Sequence, residues 1–232
     1  MYPKLRFLRL VMLHAHGWDC SSLQTMLNRL QQLEILHLYL PTCCGPTGLD
    51  LSSSHPQLRA FLISAEDLDG SALYFLKRHP TIECLNIEDA RGHVLDDQDL
   101  PLLKALHLDG EVALDTPALL ALTARRQLTH LHFHDIPYLT SDVVHDLVNN
   151  ISSSLQHLEI ECGVDGFRKS IPGFSRLLHL LPRLEELRAT AYSVNTFPQP
   201  EPLSGEDLVS AHQLRFVSFR FVSFRFVSFR SL

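Results

Sequence analysis

The pattern apolar-x-x-apolar-x-apolar returns nine times along this 232-residue chain, and no other feature restricts the fold so strongly. The copies are LRFLRL from Leu5, LEILHL from Leu33, LRAFLI from Leu58, IECLNI from Ile82, LKALHL from Leu103, LTHLHF from Leu128, LQHLEI from Leu155, LEELRA from Leu184 and LRFVSF from Leu214. Successive starts are 28, 25, 24, 21, 25, 27, 29 and 30 residues apart, a spacing too even for chance. Each hexad is short and alternates in polarity, which predicts a β-strand.

Between the hexads the apolar residues change to helical spacing. Leu23, Met26, Leu27 and Leu30 form one such stripe; Leu73 and Leu76 a second; Leu119, Leu120 and Leu122 a third; Val143, Val144, Leu147 and Val148 a fourth. Asp115-Thr116-Pro117 and Thr140-Ser141-Asp142 carry polar helix-start signals, the first with proline in the opening turn. Pro56, Pro80, Pro101 and Pro182 mark the return toward the next strand. The repeating unit is therefore one short strand and one helix or helical turn. Such a unit cannot bury its apolar face alone, so its copies must stack.

These residues resemble the leucine-rich repeat family, whose L-x-x-L-x-L strand motif and repeat length match the chain from Leu5 onward. The resemblance implies an α/β fold: a curved solenoid of about nine repeats, with a parallel sheet on the concave face and helices on the convex face. The Asn or Cys that usually follows the motif is missing from most copies. Irregular repeats introduced by "HPQLRAFLI" and "LPRLEEL" look like those of fungal F-box proteins. That likeness implies a protein partner on the concave face, with the chain as the substrate-recognition part of a ubiquitin-ligase receptor. The helical F-box segment, which would dock the ligase scaffold, is not seen before Leu5. A free-standing scaffold or inhibitor is the other reading.

Because strand side chains alternate faces, the third, fifth and seventh positions of each unit form three columns on the face turned away from the core. At the N-terminal end the columns carry Phe7, Arg9, Ile35, His37 and Tyr39, an apolar cluster of the kind that marks a contact surface or lies beneath a neighbouring segment. In the middle, His107, Asp109, His130, His132, His134, His157, Glu159 and Glu161 fall on three successive strands. Arg188 belongs to a mixed-charge C-terminal end. These residues form the expected partner-binding set. Within it, His107, His132 and Glu159 are candidate ligands for zinc or a related divalent metal. The reading adopted for the patch is a plain polar face in which histidine supplies hydrogen bonds, with no metal expected; a metal site and a pH-sensitive contact are its alternatives.

Composition narrows the remaining classes. A net charge of −6 gives no broad basic surface, so a nucleic-acid partner is not expected. Five cysteines without C-x-x-C spacing fit neither a disulfide framework nor a zinc knuckle, and point to a reducing compartment, cytoplasm or nucleus. Lys4, Arg6 and Arg9 interrupt the apolar start, and no stretch reaches membrane-span length. Cys44-Gly45-Pro46-Thr47-Gly48 lacks the lysine of a phosphate loop, and no nucleophile elbow occurs, so no catalytic residues and no cofactor are expected.

Residues 41–55, 63–70 and 193–205 read as insertions, the last a stiff loop with Pro198, Pro200 and Pro202. The domain reading is a solenoid over residues 1–220, followed by a tandem extension over 221–232. Phe-Val-Ser-Phe-Arg occurs three times from Phe216 to Arg230, and only its first copy is in phase with the long repeat. A five-residue step turns each further copy to the opposite face of a strand. The expectation is either a functionless duplication or an added strand covering the sheet edge.

Overall fold

The computed structural model describes residues 4–11, 20–40, 55, 57–68, 76, 79–90, 100–110, 116–134, 141–151, 153–163, 180–193 and 216–223. Nine strands and three helices follow one another: β1 (Phe7–Val11), α1 (Cys20–Asn28), β2 (Ile35–Leu40), β3 (Ala60–Leu68), β4 (Cys84–Ala90), β5 (Ala105–Asp109), α2 (Thr116–Arg125), β6 (His130–His134), α3 (Ser141–Ile151), β7 (His157–Gly163), β8 (Glu186–Ser193) and β9 (Phe216–Ser223). The strands form a single sheet in chain order, and every neighbouring pair is parallel. Parallel neighbours need a crossover of a dozen or more residues. The sequence supplies one between each pair of hexads. α1, α2 and α3 occupy three of these crossovers; the second helical stripe lies largely outside the described residues.

The register follows the repeat without a slip across the hexads. Phe7 faces Ile35, then Ala60, Cys84, Ala105, His130, His157, Glu186 and Phe216, all third positions. The cause is the period of two: moving any strand by one residue would turn its apolar pair out to water. Leu36, Leu38, Phe61, Leu85, Ile87 and Leu108 are fully buried fourth- and sixth-position residues. Each stabilises the fold by about 1.5–3 kcal/mol relative to exposure. The helices add Leu23 and Leu27, Leu119 and Leu122, and Leu147, Val148 and Ile151 to the same core, at the three- and four-residue spacing that makes one helical stripe.

A tight turn feeds β2, β3, β4, β5 and β8. The amides of Leu33, Leu58, Ile82, Leu103 and Leu184 donate to the carbonyls of Leu30, His55, His79, Leu100 and Leu181, at 3.0 to 3.2 Å. Pro80, Pro101 and Pro182 stand at the second position of these turns, where a fixed φ is favoured. The first turn residue is buried in all five, so His55 and His79 fill a place that leucine fills elsewhere. His55 keeps its polarity there because its Nε2–H donates to the Leu27 carbonyl of the preceding unit at 2.9 Å.

Side chains also tie successive crossovers together. Thr81, Ser154 and Arg126 donate to the carbonyls of Leu58, Leu128 and Leu100, and Asn150 of α3 donates to Leu120 of α2. These bonds add side-chain donors to backbone carbonyls of the preceding unit.

Two expectations change in detail. Part of the expected insertion at 63–70 is strand: β3 runs to Leu68, and its register with β4 shifts between Ser64↔Glu88 and Leu68↔Ala90. At the other end, β9 continues past the first Phe-Val-Ser-Phe-Arg copy, pairing Phe221, Val222 and Ser223 with Ala191, Tyr192 and Ser193. The rest of the tandem extension and the proline-containing loop lie outside the described residues. No described helix is long and apolar enough to cross a membrane.

Candidate functional site

The sheet face opposite the core carries the three columns, and the described helices leave it uncovered. Phe7, Val11 and Tyr39 are 54%, 47% and 43% exposed, with Arg9 beside them, while Ile35 and His37 are half-buried. Burial and the neighbouring Arg9 guanidinium both push the His37 pKa down, against a smaller opposing pull from Glu88. These side chains therefore share one continuous face along β1 and β2.

The middle of the face holds the histidine cluster. Parallel register sets His107 beside His132 and His132 beside Glu159, with Asp109, His134 and Glu161 aligned two residues further along. The His107 and His132 rings lie 3.9 Å apart at 41°, and the His130 and His157 rings stack at 4.1 Å and 12°. His107 Nε2, His132 Nε2 and Asn86 Oδ1, on three neighbouring strands, are buried without a hydrogen-bond partner. A buried polar atom left in this state is uncommon and costly.

Carboxylates bracket the rings. His134 Nδ1 donates to Asp109 at 2.6 Å, while its Nε2 is 3.5 Å from Glu161. Thus one imidazole bridges carboxylates on the strands either side of it. His132 Nδ1 is 3.8 Å from Glu159. His157 Nδ1 is 3.0 Å from Glu186, whose other oxygen accepts from Arg188 at 2.6 Å.

Burial dominates the proton affinities. It drives His107 down to about 4, helped by the adjacent His132. His132 and His130 are lowered for the same first reason. Burial raises the Glu159 carboxyl, against the counter-pull of Arg188. Glu186, at the surface, is lowered by the hydrogen bond from His157. At His132 the result is an imidazole whose protonation is disfavoured, set beside the Glu159 carboxyl.

Small residues shape the surface. Cys84 and Ala105 precede His130 and His157 in the third column, and the step in side-chain size opens a pocket of about 250 Å³ on the sheet. His107, His130, His132, Glu159, Glu186 and Arg188 border it. Among the described residues one group has the spacing to hold a metal ion: ligand atoms of His132, Glu159 and Glu161 all lie within 4.8 Å of one another. Of the candidate ligands read from the sequence, His132 and Glu159 converge, whereas His107 packs its ring on His132.

Sequence reasoning underweighted Glu186, Asn86 and Glu88, which contact or perturb the cluster. Their column positions already placed them on this face. The pairings themselves were not legible, because they depend on which rotamers the neighbouring strands leave open. No protein-family model matches the sequence, and no curated protein matches it.

Proposed function

We propose that the chain is a leucine-rich-repeat solenoid of about nine repeats whose concave sheet face binds a protein partner. The observation that carries this reading is the sheet face that the described residues leave uncovered. Its register aligns exposed apolar side chains at Phe7, Val11 and Tyr39 with a polar, pocketed centre and a charged end at Arg188. An aromatic and apolar anchor beside charged groups is the composition of a protein contact surface. Solenoids commonly use the extended surface created by stacking for this purpose. The F-box-like style of the repeats assigns the partner as a substrate presented to a ubiquitin ligase, in an intracellular compartment.

The test is affinity capture of the full-length native gene product, followed by the same capture with Tyr39, His130 and Arg188 replaced by alanine. Loss of the captured partner in the variant, with ligase subunits recovered in both, supports the receptor reading. A partner lost in the variant with no ligase subunits in either capture moves the reading to a free-standing scaffold or inhibitor. A partner retained by the folded variant excludes this face as the binding surface.

A further inference from the structure

Protein binding uses the whole face, yet one cluster on it has the chemistry of a smaller ligand. We propose that His132, Glu159 and Glu161 form a site for a divalent transition-metal ion of the zinc class, with His134 and Asp109 as the outer groups that orient Glu161. This inference stands independently of any protein partner.

Geometry is the first support. Zinc held at about 2.0–2.2 Å in a tetrahedral site needs its ligand atoms roughly 3.4 Å apart. The ligand atoms of the three side chains already lie within 4.8 Å of one another, so small rotations of exposed-end torsions close the site. No backbone movement is required, because His132 and Glu159 are direct partners across β6 and β7 and Glu161 is two residues along the same face.

The second support is the surrounding hydrogen bonding. Metal-ligating groups are held by outer partners that fix their orientation. Here Asp109 holds His134 at 2.6 Å, and His134 in turn reaches Glu161 at 3.5 Å. The chain of contacts crosses three strands and ends on a ligand.

The third is electrostatic. His132 Nδ1 lies 3.8 Å from Glu159, and the two carboxylates stand close together on one strand. A cation between them removes the repulsion that the fold otherwise tolerates. One imidazole with two carboxylates suits zinc, cobalt or manganese better than calcium, which takes six to eight oxygens. Three protein ligands on an open surface leave a further position facing outward, available to water or to a side chain of whatever docks there.

The experiment is a titration of the metal-free, full-length protein with Zn²⁺ by calorimetry, and with Co²⁺ by visible absorption. Expected are one equivalent of Zn²⁺ bound and a cobalt spectrum of low coordination number. Glu161→Gln, which preserves size, should weaken zinc binding by about 100-fold, and Asp109→Asn, in the outer layer, by about 10-fold or more. His145→Ala, on α3 and outside the ligand set, should bind as the wild type does. Circular dichroism confirms that each variant is folded. Zinc affinity unchanged by Glu161→Gln, or equal displacement of zinc by matched Ca²⁺, overturns the proposal.

Discussion

The imidazoles of His107 and His132, 25 residues apart in sequence, meet at 3.9 Å because β5 and β6 pair with both at the fifth position of their repeats. Burial first, and the adjacent His132 second, lower the proton affinity of His107, and burial lowers that of His132. His107 is thus held neutral over the range in which free histidine titrates.

A pH dependence follows from this contact. His107 should titrate near pH 4 by NMR in the metal-free protein, well below the ordinary 6.5. Its folded-state proton affinity is lower than its unfolded one, so the unfolded chain takes up the proton first. The stabilising contribution is therefore complete above about pH 6.5 and is lost as pH falls from there toward 4. Urea midpoints for wild type and His107→Leu, measured from pH 7 to 4.5, should diverge in slope. A parallel pair of curves would contradict the assignment.

The two faces of the sheet should respond oppositely to truncation. Phe133 is buried on the core side of β6, and Phe7 projects 54% exposed from β1. Phe133→Ala should cost about 3–5 kcal/mol through lost burial and the cavity it leaves. Phe7→Ala should change stability by no more than about 0.5 kcal/mol. Equilibrium denaturation measures both, and comparable losses would mean that the open face is packed.

His55 offers a test of the turns. It is only 1% exposed and donates to the Leu27 carbonyl. Replacement by alanine removes both packing and hydrogen bond, at about 2–4 kcal/mol. Leucine occupies the same turn place at residues 30, 100 and 181, and the Leu30 amide also donates to the Leu27 carbonyl. His55→Leu should therefore cost less than about 1.5 kcal/mol. Equal losses in the two variants would assign the stabilisation to the imidazole bond alone.

The terminal copies make an unusually clean deletion experiment. Removing residues 221–225 regenerates the same sequence from Phe216 through Ser223, because the next copy moves into place. Pairing along β8 should then be unchanged, and amide exchange at Ala191, Tyr192 and Ser193 should match the wild type. Deleting residues 221–230 instead places Ser-Leu and the chain end opposite that segment. Exchange there should rise by about tenfold or more as the edge frays. Unchanged exchange after the longer deletion would show that the added residues do not support β8.

Much of this architecture was legible before any coordinates. Apolar residues at the fourth and sixth hexad positions can be buried together in only one register, so nine hexads specified nine aligned strands and, with them, the three outward columns. Three helical stripes likewise matched α1, α2 and α3. The extension of β3 to Leu68 was missed because its residues follow no hexad, and its irregular pairing with β4 depends on the neighbouring strand. The buried turn histidines were missed for a related reason. His55 and His79 look polar in the chain, and only their repeated place in a turn reveals them as core residues.

The sequence by itself determined the period, the parallel order and which residues share the open face, because the long crossovers between hexads suit parallel neighbours and burial of alternating side chains fixes the face. Tertiary structure decided what those residues do to one another. It is the contact between strands, with local burial, that joins Asp109, His134 and Glu161 into one chain, sets His132 against Glu159, and holds His107 neutral. Distances of this kind depend on rotamers and neighbours from three separate repeats, and a linear pattern carries no information about them.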